Sequence, residues 1–184
     1  DAEAAVSGRH ADNVAPALLG GLVLVRSVDP VDLVRLPIPQ GLTMVVVSPE
    51  FELPTRMARE VLPAEVPLSV MVQHSAKLAS LVSAFHTGDV ALMGRSLVDE
   101  VVTPKRASLI PGATAAMEAA LSAGALGSSL SGSGPSVFAL CLSVRSAEIA
   151  AEAMQKCFFD AGLESVLRVS PADGPGVRRW RDDG

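Results

Sequence analysis

Apolar and polar positions along this chain follow two periods, and the places where the period changes divide it into elements. Between residues 68 and 85 the apolar side chains of Val70, Met71, Ala76, Leu78, Leu81, Val82 and Phe85 recur at helical spacing, with Gly88 after the last turn, so this stretch predicts a long helix. Asp89 caps a second helix reaching about residue 101. Pro111-Gly112 opens an Ala-rich third that ends at Gly124, and Ser146 caps a fourth that runs to about residue 160. Two shorter helices are predicted over 13–19, with Asp12 or Asn13 as cap and Gly20-Gly21 as stop, and over 56–62, opened by Pro54 and stopped at Pro63. Period-two or β-branched runs predict strands at 22–27, 43–48, 128–131, 137–142 and 166–170. The segment from Leu36 to Gly41, with two prolines, blocks regular structure, and the Pro/Gly/charge-rich residues 171–184 read as a fraying tail.

From residue 39 onward the order is strand, several helices, two hairpin-like strands, helix, strand. That order predicts an α+β fold, a ferredoxin-like split β-α-β sandwich with its helices on one sheet face, over residues 39–170. Residues 1–38 do not fit within that unit and read as the edge of another domain.

Composition narrows the function classes. With 15 Lys+Arg against 20 Asp+Glu the net charge is −5, and no basic run occurs, which argues against nucleic acid or an anionic membrane as partner. Residues 119–144 carry no charge, yet Pro135, four glycines and seven serines interrupt them, so they do not predict a membrane helix. The start lacks a basic region followed by an apolar one, so no signal peptide is expected, and it lacks an initiator methionine. Cys141 and Cys157 sit in apolar surroundings without a Cys-x-x-Cys or Cys/His cluster, which suits a reducing compartment and predicts neither a disulfide framework nor a metal site.

Three segments carry candidate chemistry, each with a plainer alternative. His10-Ala-Asp12-Asn13 places three polar side chains at a helix start, where Asp12 can accept from a hydroxyl; helix capping accounts for the same residues. Thr55 and Arg59 are four apart, so on a helix they share a face and can grip a carboxylate or phosphate, as can Lys105-Arg106; solvated surface charge is the alternative. Ser131-Gly132-Ser133-Gly134 keeps side chains off its backbone, so its N–H groups can form an anion nest, or it is a tight turn between two strands. The loop is neither a Walker nor a dinucleotide-binding motif, and no Gly-x-Ser-x-Gly elbow supports a serine nucleophile.

Taken together and in order, His10 to Gly21, Ser48 to Arg59, Arg106-Ala-Ser-Leu-Ile-Pro-Gly112 and Leu130-Ser-Gly-Ser-Gly-Pro135 resemble homoserine kinase, a family within the GHMP small-molecule kinases. The resemblance covers the chain to about residue 170. It implies ATP-dependent phosphorylation of L-homoserine to O-phospho-L-homoserine in threonine biosynthesis. The partners implied are L-homoserine and ATP with Mg2+; a homodimer is the oligomer to test, and the implied compartment is the cytoplasm, or the plastid in a plant. It further implies that His10, Asp12 and Asn13 border the homoserine site, with Asp12 and Asn13 nearest the chemistry and Asp12 orienting the amino and hydroxyl end. Thr55, Arg59 and Arg106 match the residues that hold the substrate, the two arginines on its carboxylate, and Ser131, Gly132, Ser133 and Gly134 match the motif that closes over substrate and phosphates.

The family's phosphate loop, adenine pocket and magnesium ligands have no counterpart in these residues, so the chain reads as the substrate-side C-terminal portion: residues 1–38 as the end of the N-terminal domain and 39–170 as the C-terminal domain. Leu126-Gly-Ser-Ser129 echoes the phosphate loop in letters but runs into the Ser131 motif, and Thr103 stands where the family usually has Glu. The competing expectations are a non-catalytic ferredoxin-like amino-acid-binding or regulatory module and another GHMP kinase.

Overall fold

The structure, a computed structural model, describes residues 11–178. They fall into two compact units, one made of the described residues up to Gln40 together with those from Ala172 onward, the other of Gly41–Pro171.

In the first unit, helix α1 (Val14–Leu19) precedes a hairpin of β1 (Leu22–Val28) and β2 (Val31–Leu36), which pair antiparallel across the Asp29-Pro30 turn from Leu22↔Leu36 to Val28↔Val31. The β2 strand was not expected. Asp32 and Arg35 break its apolar alternation and Val31 is 69% exposed, so only the backbone pairing with β1 defines it. The expected fraying tail is also paired in part: the Gly21 N–H donates to the Gly174 carbonyl at 3.0 Å, the Val177 N–H to the Ala17 carbonyl at 3.2 Å, and Gly20 bridges to Pro175. Main-chain bonds of this kind leave no trace in side-chain pattern, which is why Pro/Gly composition misled.

The second unit is the expected α+β sandwich. Strands β3 (Thr43–Pro49), β4 (Gly127–Leu130), β5 (Val137–Cys141) and β6 (Ser165–Pro171) form one antiparallel sheet in the order β4-β5-β3-β6. This is the ferredoxin-like arrangement: β4 and β5 form a hairpin, while the helical connections from β3 to β4 and from β5 to β6 each cross over one strand. Central β3 buries Thr43, Val45, Val47 and Pro49 on one face, the period-two signature of a strand covered on that side. Helices α6 (Ala113–Ser122) and α7 (Val144–Asp160) cover it. Their buried stripes, Ala113, Ala116 and Ala120 on α6 and Ala147, Ala150, Ala151, Met154 and Phe158 on α7, follow helical spacing and are mostly alanine, so the helices can approach closely while Met154 and Phe158 fill the remaining volume.

The other helices lie between β3 and β4: α2 (Thr55–Glu60), α3 (Leu68–Thr87), α4 (Val90–Ser96) and α5 (Thr103–Ala107). Here the boundaries depart from expectation. The helix capped by Asp89, whose side chain accepts from the Leu92 N–H at 2.9 Å, ends at Ser96 instead of near 101, because the chain stops there to let Asp99 start α5. Helix α7 begins at Val144 with Ser143, not Ser146, as its cap; the Ser143 hydroxyl accepts from the Ser146 N–H at 3.1 Å.

Adjacent phenylalanines test the register of α7. Phe158 is fully buried and Phe159 is 67% exposed. Phe158→Ala should cost about 3–5 kcal/mol of unfolding free energy, whereas Phe159→Ala should cost less than about 1 kcal/mol. Chemical denaturation of both variants checks this, and comparable losses would mean that the helix is turned differently.

Candidate functional site

In the second unit two of the segments singled out by sequence converge on Arg106. Helix α2 has only six residues, so most of its carbonyls lack partners within the helix. The chain closes two of them itself, the Val61 N–H donating to the Met57 carbonyl and the Leu62 N–H to the Arg59 carbonyl. The carbonyl of Ala58 is taken by Arg106, whose Nε–H donates to it at 3.0 Å, a cation at a helix C-terminus where the backbone dipoles favour one. From the same guanidinium Nη1 donates to the Gly132 carbonyl at 3.2 Å. Arg106, in the last turn of α5, thus ties the last turn of α2, which carries exposed Arg59, to the tip of the β4–β5 connection. Two of its five N–H groups are used in this way, which leaves donors on Nη1 and Nη2 for a planar anion.

That connection is a hairpin loop above the last strand pair, Leu130↔Val137. The Ser131 N–H donates to the Ser136 carbonyl at 2.8 Å and the Gly134 N–H to the Ser131 carbonyl at 3.0 Å, while the Ser136 hydroxyl meets that of Ser48 at 2.8 Å. Closing the loop therefore uses two of the four N–H groups between Ser131 and Gly134. Its glycines have different reasons. Gly134, at φ +84°, lies so close to the buried Ile110 that a Cβ would stand 2.7 Å from its Cδ1, whereas Gly132, at φ +60°, has open space where a Cβ would be. Gly134 seats the loop on the core and Gly132 keeps the outer surface bare. The segment is a tight turn, and the N–H groups of Gly132 and Ser133 are not used in closing it.

The other expected site residues are placed as follows. Thr55 opens α2, one helical turn before Arg59. Asp12 and Asn13 belong to the first unit and are exposed; Asn13 holds the N-cap position of α1 with φ −92° and ψ −42°, and its side chain makes no capping bond, so capping does not account for its amide. His10 lies outside the described residues.

Sequence reasoning missed a cluster next to this site. The Asp99 carboxylate accepts from the N–H groups of Val101, Val102 and Thr103 at 2.8–2.9 Å and from the Thr103 hydroxyl at 2.9 Å, and the Thr103 Oγ1 lies 3.0 Å from the Ser129 Oγ on β4. Burial pushes the Asp99 carboxyl up, but the three backbone N–H groups and the Thr103 hydroxyl outweigh it and hold it below the ordinary aspartate value of 3.8. The available signal was Asp99 followed four residues later by Thr103-Pro104, a helix-start pattern. His74 of α3 stands 3.9 Å from Asp99, and Lys77 pairs with Glu100 at 2.6 Å. A cavity of about 130 Å3 lies here, lined by His74, Lys77, Ser96, Asp99 and Ser129 among others. A larger one of about 410 Å3, between α7 and β6, holds none of the residues nominated from sequence and is not the candidate site.

Among the described residues no three His, Cys, Asp or Glu side chains converge as a metal centre requires. Leu126-Gly-Ser-Ser129 leads into strand β4, so it does not open a helix as a nucleotide phosphate loop would. Burial pushes the thiols of Cys141 and Cys157 up, away from thiolate chemistry. Among the described residues no helix is long and apolar enough to cross a membrane.

Residues 81–160 match the family model for the GHMP kinases C terminal. The chain is 48% identical over 176 residues to homoserine kinase of Chlorobium phaeovibrioides, covering 95% of this chain and 55% of that protein, and 44% identical over 182 residues to homoserine kinase of Arabidopsis thaliana, covering 97% and 49%. A crystal structure of homoserine kinase from Cytophaga hutchinsonii superposes with a TM-score of 0.89 at 45% identity, over 92% of this chain and 54% of that one. The chain spans about half the length of the curated relatives it matches.

Asp99 makes the site sensitive to acid. A carboxyl whose pKa is lower in the folded than in the unfolded chain stabilises the fold above the unfolded value and loses that contribution as pH falls through the folded one. The parent protein should therefore lose more stability between about pH 5 and pH 2 than Asp99→Asn, which has no proton to take up there. Denaturant titrations across that range check it, and parallel acid limbs for the two proteins would refute the assignment.

Proposed function

The chain carries the C-terminal domain of the GHMP kinase family, and on that premise we propose that it is the substrate-side portion of an enzyme that phosphorylates the hydroxyl of L-homoserine, giving O-phospho-L-homoserine. The observation that carries the reading is the double contact of Arg106, which brings α2, with Thr55 and Arg59, and the Ser131–Gly134 loop together at a guanidinium that keeps free donors. L-Homoserine has a carboxylate at one end and an ammonium and a hydroxyl at the other. Arg106 and Arg59 supply cations for the first, in the planar geometry a carboxylate accepts. For the second end the resemblance nominates Asp12 as acceptor, with Asn13 and His10 next to it in sequence. The N–H groups of Gly132 and Ser133 add neutral donors over an anion. Each of these acts by positioning, which is the larger share of what a protein does in phosphoryl transfer.

ATP with Mg2+ would be the phosphoryl donor of the reaction proposed, and the reading gives these residues the acceptor side alone. The experiment is an acceptor survey with the complete enzyme, following ADP release. L-Homoserine should support turnover and mevalonate should not; turnover with mevalonate and none with L-homoserine would exchange this reading for a different GHMP kinase.

The two arginines should fail differently. Arg59 is exposed, so Arg59→Ala should raise the L-homoserine KM about tenfold and leave kcat and the ATP KM near parental. Arg106 also holds two backbone carbonyls, so Arg106→Ala should cost more, about 2–4 kcal/mol in kcat/KM for L-homoserine, and should lower kcat as well. Steady-state kinetics on both variants tests this; parental L-homoserine KM values in both would return the arginines to ordinary surface charge.

A further inference from the structure

We infer that Thr103 and Ser129 are positioning residues that set the spacing between Arg106 and the Ser131–Gly134 loop, and through it the affinity for L-homoserine. The inference rests on the reading of that site given above. Helix α5 has five residues and cannot hold itself together, since one turn of helix is unfavourable without outside contacts. Its N-terminal N–H groups are held by Asp99, and its side chains reach β4 and the loop beyond it at two points. One is Thr103 to Ser129, 3.0 Å between hydroxyl oxygens; the other is Arg106 to the Gly132 carbonyl, 3.2 Å. The contacts are three positions apart on each segment, 103 to 106 and 129 to 132. They form a closed ring of two chain segments and two cross-links, and moving one cross-link moves the other.

The direction of the first cross-link follows from proton counting. The Thr103 hydroxyl has one proton, and the Asp99 carboxylate, which can only accept, takes it at 2.9 Å. Ser129 must therefore donate to Thr103. The chain Ser129 to Thr103 to Asp99 ends on a charge, which strengthens both hydroxyl bonds and fixes their sense. Neither hydroxyl belongs to the substrate-binding groups, so each can be removed without deleting a substrate contact.

In the complete enzyme, Thr103→Val keeps shape and backbone while removing the hydroxyl, and Ser129→Ala removes the other partner. Each should raise the L-homoserine KM about tenfold, the scale of one charge-assisted hydrogen bond, with the ATP KM unchanged and kcat within about twofold. The double variant should be no worse than either single one, because both break the same link. Thr103→Ser, which restores the hydroxyl, should return the KM to near parental, a rescue that a loss of packing alone would not give. Parental KM in both single variants, with lowered melting temperatures, would make the cluster purely structural and overturn the inference. If Arg106→Ala raises the L-homoserine KM while Thr103→Val and Ser129→Ala do not, this inference alone falls; if the enzyme does not turn over L-homoserine, it falls together with the proposed function.

Discussion

A single guanidinium holds two backbone carbonyls for which the described residues offer no other donor: Arg106 donates to Ala58 at the end of α2 and to Gly132 at the tip of the β4–β5 loop. Ala58 is buried, so leaving its carbonyl without a partner would cost on the order of 1–3 kcal/mol, whereas the exposed Gly132 carbonyl can turn to water. Neither α2 nor α5 is long enough to be a stable helix alone, so their positions derive from what they are tied to. Asp99 anchors the start of α5, Arg106 joins its end to both neighbours, and Gly134 presses the loop onto Ile110. The candidate site is an arrangement of short pieces made rigid by polar contacts, set on a sheet and helix pair made rigid by apolar ones.

That division of labour follows from the topology. Central β3 pairs with β5 and β6, both of which come from the far side of α2 to α6 in sequence, so the sheet exists only once distant segments have met. Alanine stripes on α6 and α7 then let the two helices lie close to it and to one another. The segments between β3 and β4 other than α6 give the core Ala107 and Ile110 and carry Arg59 and Arg106. A scaffold supplies fixed strand ends and intervening loops supply chemistry, a common partition in α+β proteins.

How far this was legible in the sequence depends on which force decides each element. Where burial decides, as for the strand at 43–48, pattern sufficed; the helix at 68–85, which buries only Ala84 and Phe85, and the glycine hairpin are also present, and the strand and helix order predicted the split β-α-β sandwich. Where main-chain bonding decides, it did not. Strand β2 and the pairing of residues 174–177 with α1 and β1 are carried by backbone groups, and the early end of α4 reflects a carboxylate three residues further on. The candidate site shows the same contrast. Arg106 and Ser131 to Gly134 could be nominated from residue type and from resemblance, but the fact that the arginine grips the loop through a carbonyl oxygen cannot be read from any side chain, and Asp99, Thr103 and Ser129 went unassigned for that reason. Thr55 and Arg59, one turn apart, are nominated by resemblance where spacing alone leaves them undecided.

The central claim is that Arg106 reads the substrate's carboxylate while holding the walls of the site together, and a substrate–protein cycle tests it most directly. Specificity constants would be measured in the complete enzyme and in Arg106→Ala for L-homoserine and for 3-aminopropan-1-ol, the same amino alcohol without its carboxylate. If the guanidinium meets the carboxylate, removing the carboxylate should cost the parent about a hundredfold in kcat/KM and the variant only a few-fold, because the partner is already gone. Equal losses in the two proteins would show that Arg106 and the carboxylate never meet and would leave the arginine a purely structural tie.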